Sequence, residues 1–425
     1  MGPTPIAIGL LGYGTVGSSV DRLLREREGD IARVAGTPLR VTRALVRDAS
    51  RPRPGTADGL VGTDFSAIRD DAAIKVVAEV MGGIEPARSY LMELFAAGKS
   101  VVSANKQLLA RHGEELFGAA ERHGVQLRFE ASVCAAIPVV KVLRESMIAG
   151  DVTAVLGIVN GTTNFILTAM AAGQDYAPAL RRAQELGYAE ADPTEDVNGA
   201  DAAAKIAILA SIAFHTRVTI DDVPFDGIER LEAVDAAFAA ELGYKIKLIG
   251  SAIRLPGGVA ASVHPTLVPV THALAGVEGS FNAVMLRGSA IREITLVGPG
   301  AGGDETASAV IGDVMSVLGT SGTGFFQSDG YFRQLPVVPE SDVPSGFYLR
   351  LDVLDQPGVL AQIARVLADV DVSIESVIQR AAAGRAQLVV TTHPAAEGRF
   401  YSAVDQIRAL GVTRAEPTVL RALAR

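Results

Sequence analysis

The segment Ile6–Gly17 reads IAIGLLGYGTVG and joins a short apolar run to a glycine turn. Gly12 allows a tight turn, Gly14 lets the backbone approach a pyrophosphate, and Gly17 lets a following helix pack on the strand. Apolar residues then recur at helical spacing, and a second β-like run follows. The order of strand, glycine turn, helix and strand predicts a βαβ unit that binds a dinucleotide. The alternative is a glycine turn used for packing alone.

Further β-like runs at 75–80, 100–103 and 125–129 alternate with helical segments. This alternation predicts a Rossmann-like, doubly wound parallel sheet over residues 1–137, completed by about 299–320. The pattern changes after Pro138, and we expect an α+β catalytic and dimerisation domain over residues 138–320. It includes an apolar helix, Ala200–Phe214. Residues 321–345, rich in glycine, serine and proline, are the predicted linker.

The tail, residues 346–425, reads as a compact and separate domain. Strands at 347–354, 372–378 and 386–393, helices at 358–369 and 398–410, and a short last strand near 413–419 are predicted. This β-α-β-β-α-β order is that of a ferredoxin-like fold.

The composition limits the classes of function. The chain has 425 residues, 48% of them hydrophobic, and a net charge of −9. That charge argues against a general surface for nucleic acid or anionic membranes, which needs excess Lys and Arg. A single cysteine excludes an internal disulfide and favours a reducing compartment. No signal-peptide pattern or long apolar stretch is found, so we expect a cytoplasmic protein.

The end of the second strand bears on the choice of cofactor. An acidic residue there binds the ribose of NAD, whereas an arginine accommodates the 2′-phosphate of NADP. The sequence has Arg47 and Asp48, then Arg51 and Arg53. Because basic residues outnumber the acidic one and Arg47 comes first, NADP is favoured, with use of either cofactor expected.

One lysine interrupts the apolar helix Ala200–Phe214. Lys205 lies four residues after Asp201, and Ser211 is the only other polar side chain beyond them. A solvated i,i+4 ion pair is the simpler interpretation. It fits poorly, because a helix that is apolar all round is buried, and a buried ion pair is a weak source of stability. Burial also brings a lysine into the range useful for proton transfer, so Lys205 is a candidate general acid and base.

The loop ahead of this helix is rich in carboxylates, from Glu190 to Asp196. It has three interpretations: a Mg²⁺ or Ca²⁺ site, although the spacing matches no calcium loop, a solvated acidic loop, or recognition of a substrate ammonium group. The six histidines show no metal-ligand spacing, and we assign them no role.

Six segments together resemble homoserine dehydrogenases. They are GLLGYGTVG (9–17), SANK (Ser103–Lys106), FEASVCAAIP (Phe129–Pro138), GIVNGTTNFIL (Gly157–Leu167), LGYAEADPTEDVNGADAAAKIAILA (Leu186–Ala210) and GPGAGGDETASAVIGD (Gly298–Asp313). The resemblance implies reversible, NAD(P)-dependent interconversion of L-aspartate 4-semialdehyde and L-homoserine, in threonine and methionine biosynthesis. With the motif so near residue 6, we expect no fused aspartate kinase.

The resemblance also implies roles for residues. Lys205 would give a proton to the aldehyde oxygen as hydride arrives, and Asp201 would orient that lysine. Glu190 would hold the substrate ammonium with help from Asp196, and Lys106 would lie near nicotinamide and substrate. Other expected cofactor contacts are Gly12, Gly14, Thr15, Val16, Gly17, Arg47 and Gly302.

A monovalent cation site, usually for sodium, is implied at Glu130, Val133, Ala135 and Ile137. Cys134 and Ala135 stand in a stretch that is usually glycine-rich, and their side chains restrict the backbone conformations that this loop can adopt around a cation. Cys134 has a rival interpretation as a nucleophile, because aspartate-semialdehyde dehydrogenase uses a cysteine. A small buried residue is the commoner use.

The tail resembles an ACT domain, with its ligand turn at Asp355, Gln356 and Gly358. The resemblance implies feedback inhibition by L-threonine in a homodimer or homotetramer; the alternative is a dimerisation module whose ligand site has decayed. Two other functions stay open. One is another amino-acid-linked NAD(P) dehydrogenase, favoured if Glu190 and Lys205 do not share a pocket. The other is a non-catalytic amino-acid sensor.

Overall fold

The computed structural model describes residues 4–53, 55–319, 335–382 and 385–423. Its N-terminal part is a six-stranded parallel sheet with the order β3-β2-β1-β4-β5-β6. The strands are β1 Ile6–Leu11, β2 Leu39–Leu45, β3 Val61–Gly62, β4 Ile74–Glu79, β5 Ser100–Ser103 and β6 Leu127–Arg128. The strand order reverses between β1 and β4, and a crevice opens beyond their carboxyl ends. The predicted doubly wound sheet is confirmed.

Five helices accompany this sheet: α1 Thr15–Glu26, α2 Glu28–Ala35, α3 Ser66–Arg69, α4 Ala87–Ala96 and α5 Lys106–Arg122. The glycine turn lets α1 begin directly after β1. Gly12 has a φ of +104°, and a Cβ on Gly17 would lie 2.3 Å from the Gly12 carbonyl oxygen. Helix α5 begins after Asn105, whose side chain accepts a hydrogen bond from the Leu108 N–H.

The central part is built from five antiparallel strands and the helices that pack on them. The strands are β7 Val152–Ile158, β8 Tyr244–Leu255, β9 Gly258–Pro269, β10 Phe281–Gly288 and β11 Arg292–Pro299. The helices are α6 Val139–Lys141, α7 Gly161–Ala171, α8 Tyr176–Glu185, α9 Thr194–Val197, α10 Ala200–Phe214, α11 Ala233–Glu241 and α12 Gly303–Gly319.

Two of these helices, α10 and α12, pack against different sheets. Helix α10 is buried along its length, as its apolar sequence predicts, and packs so closely on β8 that a Cβ on Gly250 would lie 2.3 Å from Ile206. Helix α12 returns to the N-terminal sheet, where Ala307 and Val310 share an apolar cluster with Ile8 and Val20.

The C-terminal part has the predicted ferredoxin-like order. Its elements are β12 Pro344–Leu354, α13 Val359–Asp369, β13 Ile374–Ala382, β14 Arg385–Thr392, β15 Ala395–Ala396, α14 Glu397–Ala409 and β16 Thr418–Ala422. The four main strands pair antiparallel in the order β16-β12-β14-β13. No helix among the residues with described coordinates is long and apolar enough to cross a membrane.

Two expectations about the tail are wrong. The last strand lies at Thr418–Ala422 rather than near 413–419, and Thr413 forms only a single bridge with Val353. The shift follows from Pro417, which has no N–H to give to a ladder. The tail is also not separate, because Arg421 and Ala422 of β16 pair in parallel with β9 and join both sheets into one.

Only the last part of the predicted linker, residues 321–345, lies within the described residues. Residues 320–334 lie outside the described part of the chain. Of the remainder, Val337 forms a bridge with Val259 on β9, a short 3₁₀ turn spans Glu340–Asp342, and β12 has already begun at Pro344. The described end of the segment is therefore attached to the central sheet.

A buried ion pair also connects the C-terminal part to α11. The guanidinium of Arg350 on β12 binds both carboxylate oxygens of Asp235, with distances of 2.6 Å from Nε and 3.2 Å from Nη2. The Tyr348 hydroxyl donates to the same carboxylate at 3.2 Å. Asp235 is fully buried. Removing Asp235 would leave the buried Arg350 with the exposed Glu232, 3.3 Å from Nη2, as its remaining counter-charge among the described residues, and would remove the acceptor of the Tyr348 hydroxyl.

We therefore expect Asp235→Ala to destabilise the protein by about 3 kcal/mol, the lower end of the cost of breaking a buried pair. Urea unfolding followed by fluorescence or circular dichroism measures the change. The matched control is Asp369→Ala, which breaks the exposed pair with Arg365 and should cost less than about 1 kcal/mol. Equal shifts in the two variants would contradict a stabilising role for the buried pair.

Candidate active site

A cavity of about 930 Å³ lies at the crevice of the parallel sheet. Gly12, Gly14, Thr15 and Arg47 line it, as expected for cofactor contacts. Val16 instead packs into the apolar cluster beneath α1. Gly17 is used for close packing under the Gly12 carbonyl. The cavity thus receives the N-terminus of α1, where free N–H groups and the helix dipole favour a phosphate.

The same cavity has a basic end. Arg47, Arg51 and Arg53 line it together with a single acid, Asp48. The Asp48 carboxylate accepts hydrogen bonds from the Ser50 hydroxyl and N–H at 2.6 and 2.8 Å, which lower the pKa of Asp48. The Asp48 carboxylate is therefore bound by Ser50 within its own turn. The three arginines make this end of the cavity positively charged toward a ligand.

Gly302 lies at the other side of the crevice, just before α12. Its φ of +131° is a conformation that side chains rarely adopt. A Cβ on its neighbour Gly303 would lie 2.9 Å from the Thr15 side chain. The beginnings of α12 and α1 are thus adjacent, which places Gly302 beside the glycine turn.

The centre of the site is the carboxylate of Asp201, which lies in the first turn of α10 and is 3% exposed. One oxygen is 2.8 Å from Lys205 Nζ, and the other is 2.5 Å from Lys106 Nζ. Burial raises the pKa of Asp201, but the positive charges of Lys205 and Lys106 outweigh it, so the pKa lies below the usual range. Asp201 is an anion between two cations.

Lys205 has a second partner besides Asp201: its Nζ donates to the carbonyl oxygen of Val159 at 2.8 Å. Burial lowers the pKa of Lys205, but the attraction of Asp201 more than offsets it, and the pKa lies above its ordinary value. The ammonium form is therefore stable at neutral pH. The structure places the predicted pair in the interior and shows that it is not a solvated surface pair.

Asn160 was not predicted as a site residue. Its side-chain N–H groups donate to Asp196 at 2.8 Å and to Asp201 at 3.0 Å. Its oxygen caps α7 by accepting from the Thr163 N–H. The amide therefore connects two carboxylates that would otherwise repel each other. The sequence does indicate its capping role, because an Asn between the end of a strand and Gly-Thr-Thr is typical of a helix N-cap.

The acidic loop is only partly brought into the site. Asp196 is held by Asn160, and the Thr162 hydroxyl lies 3.2 Å from its other oxygen. Glu190 is exposed, and its backbone carbonyl accepts a hydrogen bond from the Gln184 side chain. Within the described ranges, its carboxylate contacts no residue of the site. The same ranges contain no group of three His, Cys, Asp or Glu side chains arranged to hold a metal.

Glu79 is a second buried acid that sequence reasoning missed. It ends β4 at the crevice, is fully buried, and accepts hydrogen bonds from the Ser103 hydroxyl at 2.6 Å and from the Met81 and Gly82 N–H groups. Burial raises its pKa. Glu79 thus fixes the turn after β4 that lines the cavity.

The loop from Glu130 to Ile137 is the stretch in which the resemblance implies a monovalent cation site. Cys134 and Ala135 have φ values of +55° and +42°, in the left-handed region that favours glycine. Neither the Val133 nor the Ala135 carbonyl accepts a hydrogen bond from the described residues. Glu130 accepts from the Val140 and Lys141 N–H groups at 2.8 Å each. Burial and the nearby Asp313 raise its pKa to about 7.

Cys134 lies beside this site but is poorly suited to attack. It is buried, and burial raises the pKa of its thiol to about 11. The thiolate is the nucleophilic form, so a thiol that is held protonated is unreactive. The structure favours the interpretation of Cys134 as a small buried residue.

Comparison with known proteins identifies the family. Residues 12–130 match the homoserine dehydrogenase NAD-binding domain, 138–315 match homoserine dehydrogenase, and 347–412 match the ACT domain. The chain is 44% identical to homoserine dehydrogenase of Corynebacterium glutamicum over 423 residues, covering 98% of this chain and 95% of that one.

Solved structures agree. The crystal structure of a homoserine dehydrogenase from Thiobacillus denitrificans superimposes with a TM-score of 0.94 at 39% identity and covers 99% of both chains. A hyperthermophilic archaeal homoserine dehydrogenase in complex with NADPH has a TM-score of 0.63 at 26% identity, covering 74% of this chain and 98% of that one.

No hydrogen bond or ion pair joins Glu190 to Lys205 in the part of the chain that the structure describes. The choice between the open alternatives therefore rests on these matches. They favour homoserine dehydrogenase over another amino-acid-linked dehydrogenase or a sensor without activity. The fold, the buried Asp201 with its two lysines, and full-length similarity all lead to one conclusion: this chain belongs to the homoserine dehydrogenase family of NAD(P)-binding oxidoreductases.

Proposed function

We propose that Lys205 is the general acid that protonates the aldehyde oxygen of L-aspartate 4-semialdehyde, and the base in the reverse direction. The nicotinamide supplies the hydride. The observation that supports this role is that the Lys205 ammonium has one N–H group more than its two protein partners use. An ammonium has three N–H groups, and two of them bind Val159 and Asp201. The third remains for the substrate oxygen.

The neighbouring residues hold the substrate in this proposal. Asp201 keeps Lys205 in its ammonium form and also binds Lys106, which begins α5 at the carboxyl edge of the parallel sheet. Lys106 is a third exposed and therefore accessible to substrate and nicotinamide. Glu190 holds the substrate ammonium from the exposed loop, with help from Asp196. The reaction belongs to the biosynthesis of threonine, methionine and isoleucine.

NADP is the preferred cofactor in this proposal, with NAD as the second. Three arginines line the cavity near the end of β2, and the one acid there is engaged by Ser50. A 2′-phosphate is recognised best by such arginines. A complex of an archaeal relative with NADPH is consistent with this choice.

A monovalent cation, sodium, would be held by the loop of Glu130, Val133, Ala135 and Ile137. The two carbonyls without hydrogen bonds, at Val133 and Ala135, fit a hard cation, which takes oxygen ligands. When bound, the cation would stabilise the left-handed backbone at Cys134 and Ala135 beside the catalytic residues.

L-Threonine is the proposed effector, bound at the ACT turn of Asp355, Gln356 and Gly358. This turn is exposed, and Gly358 opens α13 with a φ of +92°. The Asp355 carboxylate can bind the ammonium of an amino acid, and the free N–H groups at the start of α13 can bind its carboxylate. We propose a homodimer or homotetramer in the cytoplasm.

Lys205→Ala should lower kcat by about 10²- to 10⁴-fold, the usual contribution of a positioned general acid. The affinity for NADPH, measured by fluorescence titration, should be unchanged. Lys245→Ala, which removes a lysine paired with Glu278 at the surface, is the control and should keep full activity. Retained turnover in Lys205→Ala would remove the proton role.

The pH dependence follows from the raised pKa of Lys205. Because the ammonium form persists above the ordinary value near pH 10.4, reduction of the semialdehyde should not lose its acid up to about pH 9.5. Homoserine oxidation needs the neutral amine, so its kcat should rise with pH over the same range. Initial rates in both directions measure this. A reduction rate that falls near pH 7 would contradict the assignment.

Arg47→Ala should raise the KM for NADPH about tenfold or more, because a charged hydrogen bond contributes about 1.5–3 kcal/mol, and leave the KM for NADH nearly unchanged. Arg43→Ala is the matched control, since Arg43 lies on β2 four residues before Arg47 but pairs with Asp71 outside the cavity. A parallel change for both cofactors would show that Arg47 does not read the 2′-phosphate.

L-Threonine should inhibit the wild-type enzyme, and Asp355→Ala should raise the half-inhibitory concentration about tenfold with unchanged basal kcat, through loss of a charged hydrogen bond. Asp405→Ala, on the exposed side of α14, is the control. A wild-type enzyme that ignores threonine would favour the alternative of a dimerisation module with a decayed ligand site.

A further inference from the structure

Five charged side chains form a cluster where the central and C-terminal parts meet. This junction cluster consists of Asp226, His264, Glu340, Glu397 and Arg421. His264 lies on β9, Arg421 on β16, and Glu397 at the start of α14. Glu340 lies in the turn before β12. Four of them are largely shielded from solvent, whereas the Asp226 side chain is 68% exposed.

The cluster is a continuous chain of contacts. His264 Nδ1 is 3.1 Å from an Asp226 oxygen, and Nε2 contacts Glu340. Arg421 contacts Glu340 and Glu397. His264 thus lies between two carboxylates. Glu340 is also bound by Arg421 of the C-terminal part, whereas Asp226 lies on an exposed loop of the central part.

The loop that carries Asp226, residues 223–228 (the Asp226 loop), packs directly on the junction between α9, which carries Asp196, and α10, which carries Asp201. The Asp226 N–H bonds the Val263 carbonyl at 2.9 Å, and the Ile228 N–H bonds the Val197 carbonyl at 2.9 Å. A Cβ on Gly227 would lie 2.2 Å from that same Val197 oxygen. Val197 follows Asp196 directly, so the position of Asp226 bears on the site.

The backbone just before α10 also lies close to the Asp226 loop. A Cβ on Gly199 would lie 3.0 Å from the Asp226 carbonyl oxygen. Gly199 has a φ of +92° and precedes α10 by one residue, with Asp201 in the first turn. The segment between Asp196 and Asp201 is therefore seated on the Asp226 loop from both ends.

The protonation state of His264 decides how many carboxylates it can hold. A protonated ring donates from both nitrogens, to Asp226 and to Glu340, whereas a neutral ring has a single N–H and can donate to only one of them. Asp226 is the more exposed partner and can turn to water. Loss of the proton therefore releases the Asp226 side of the cluster.

The surrounding charges favour the protonated ring. Burial lowers the pKa of His264, but hydrogen bonds to Asp226 and Glu340 outweigh it, and the pKa lies above the ordinary value. Arg421 opposes protonation, and Arg230 also acts on Asp226. Glu397 and Tyr401 complete the titratable groups around the cluster; burial raises the pKa of Tyr401 to about 12.

We propose that His264 and Asp226 are positioning residues for the reaction: the protonated imidazole, held on one side by Glu340 and Arg421, fixes the Asp226 loop and thereby the placement of Asp196 and Asp201. This inference rests on the roles proposed above for those two carboxylates. It also gives the C-terminal part a contact route to the site, through side chains as far as Asp226 and through backbone contacts from there to Val197 and Gly199.

The test compares His264→Gln, Asp226→Ala and the double variant with wild type. Each single variant should raise the KM for L-homoserine about five- to tenfold, the size of one ordinary net hydrogen bond, with the kcat and the KM for NADP⁺ close to wild type. The double variant should show no more than the larger single effect, because both residues act through one contact.

The pH profile separates positioning from a purely structural role. In wild type, the KM for L-homoserine should rise as the pH increases above the ordinary histidine value of about 6.5 and His264 loses its proton, whereas in His264→Gln it should be high and flat. His272→Gln is the matched control, because His272 accepts a hydrogen bond only from the Leu274 N–H among the described residues. Melting temperatures of all variants show whether folding is affected.

The outcomes are distinct. A KM in His264→Gln that follows wild type at every pH, or an equal loss of homoserine and cofactor binding together with a lower melting temperature, overturns the positioning role. Asp196→Asn measured alongside reports on the site itself. If Asp196→Asn leaves the KM for homoserine unchanged, the assignment of the substrate carboxylates fails. If it raises that KM while His264→Gln does not, only the inference about His264 fails.

Discussion

Asp201 is a carboxylate with almost no access to water, and two lysines from different parts of the fold share it. Lys106 begins α5 on the parallel sheet, and Lys205 lies one turn further along α10. Burying the Asp201 carboxylate together with the Lys205 ammonium is a poor source of stability. The arrangement is explained by chemistry instead, because it fixes a protonated lysine at the place where the cofactor sheet meets the central part.

The constraint extends to the helix termini. Lys106 is the first residue of α5, where the helix dipole is unfavourable for a cation, and the Asp201 charge compensates for it. Asn160 caps α7 with its oxygen and uses its N–H groups for Asp196 and Asp201. The polar groups of the site are therefore nearly all satisfied before substrate arrives. Such preorganisation is what a proton transfer requires.

The C-terminal part is joined to this site more closely than a tethered module would be. The strand β16 pairs with β9, and Arg350 binds the buried Asp235 of α11. Through His264, the same region contacts the loop that seats Asp196 and Asp201. A ligand that shifts the C-terminal strands would act on a sheet that it shares with the catalytic part.

Features that depend on consecutive residues follow from the amino-acid sequence alone. These are the glycine turn from Gly12 to Gly17, the alternation that makes a parallel sheet, and the apolar helix that buries Lys205 beside Asp201. Lys106 could be assigned only through resemblance. The tertiary structure alone decided that Lys106 shares Asp201, that Asn160 joins two carboxylates, and that the last strand pairs with β9. Local periodicity and turn chemistry specify neighbours along the chain, whereas contacts between distant segments depend on how whole elements pack, and no short pattern encodes that packing.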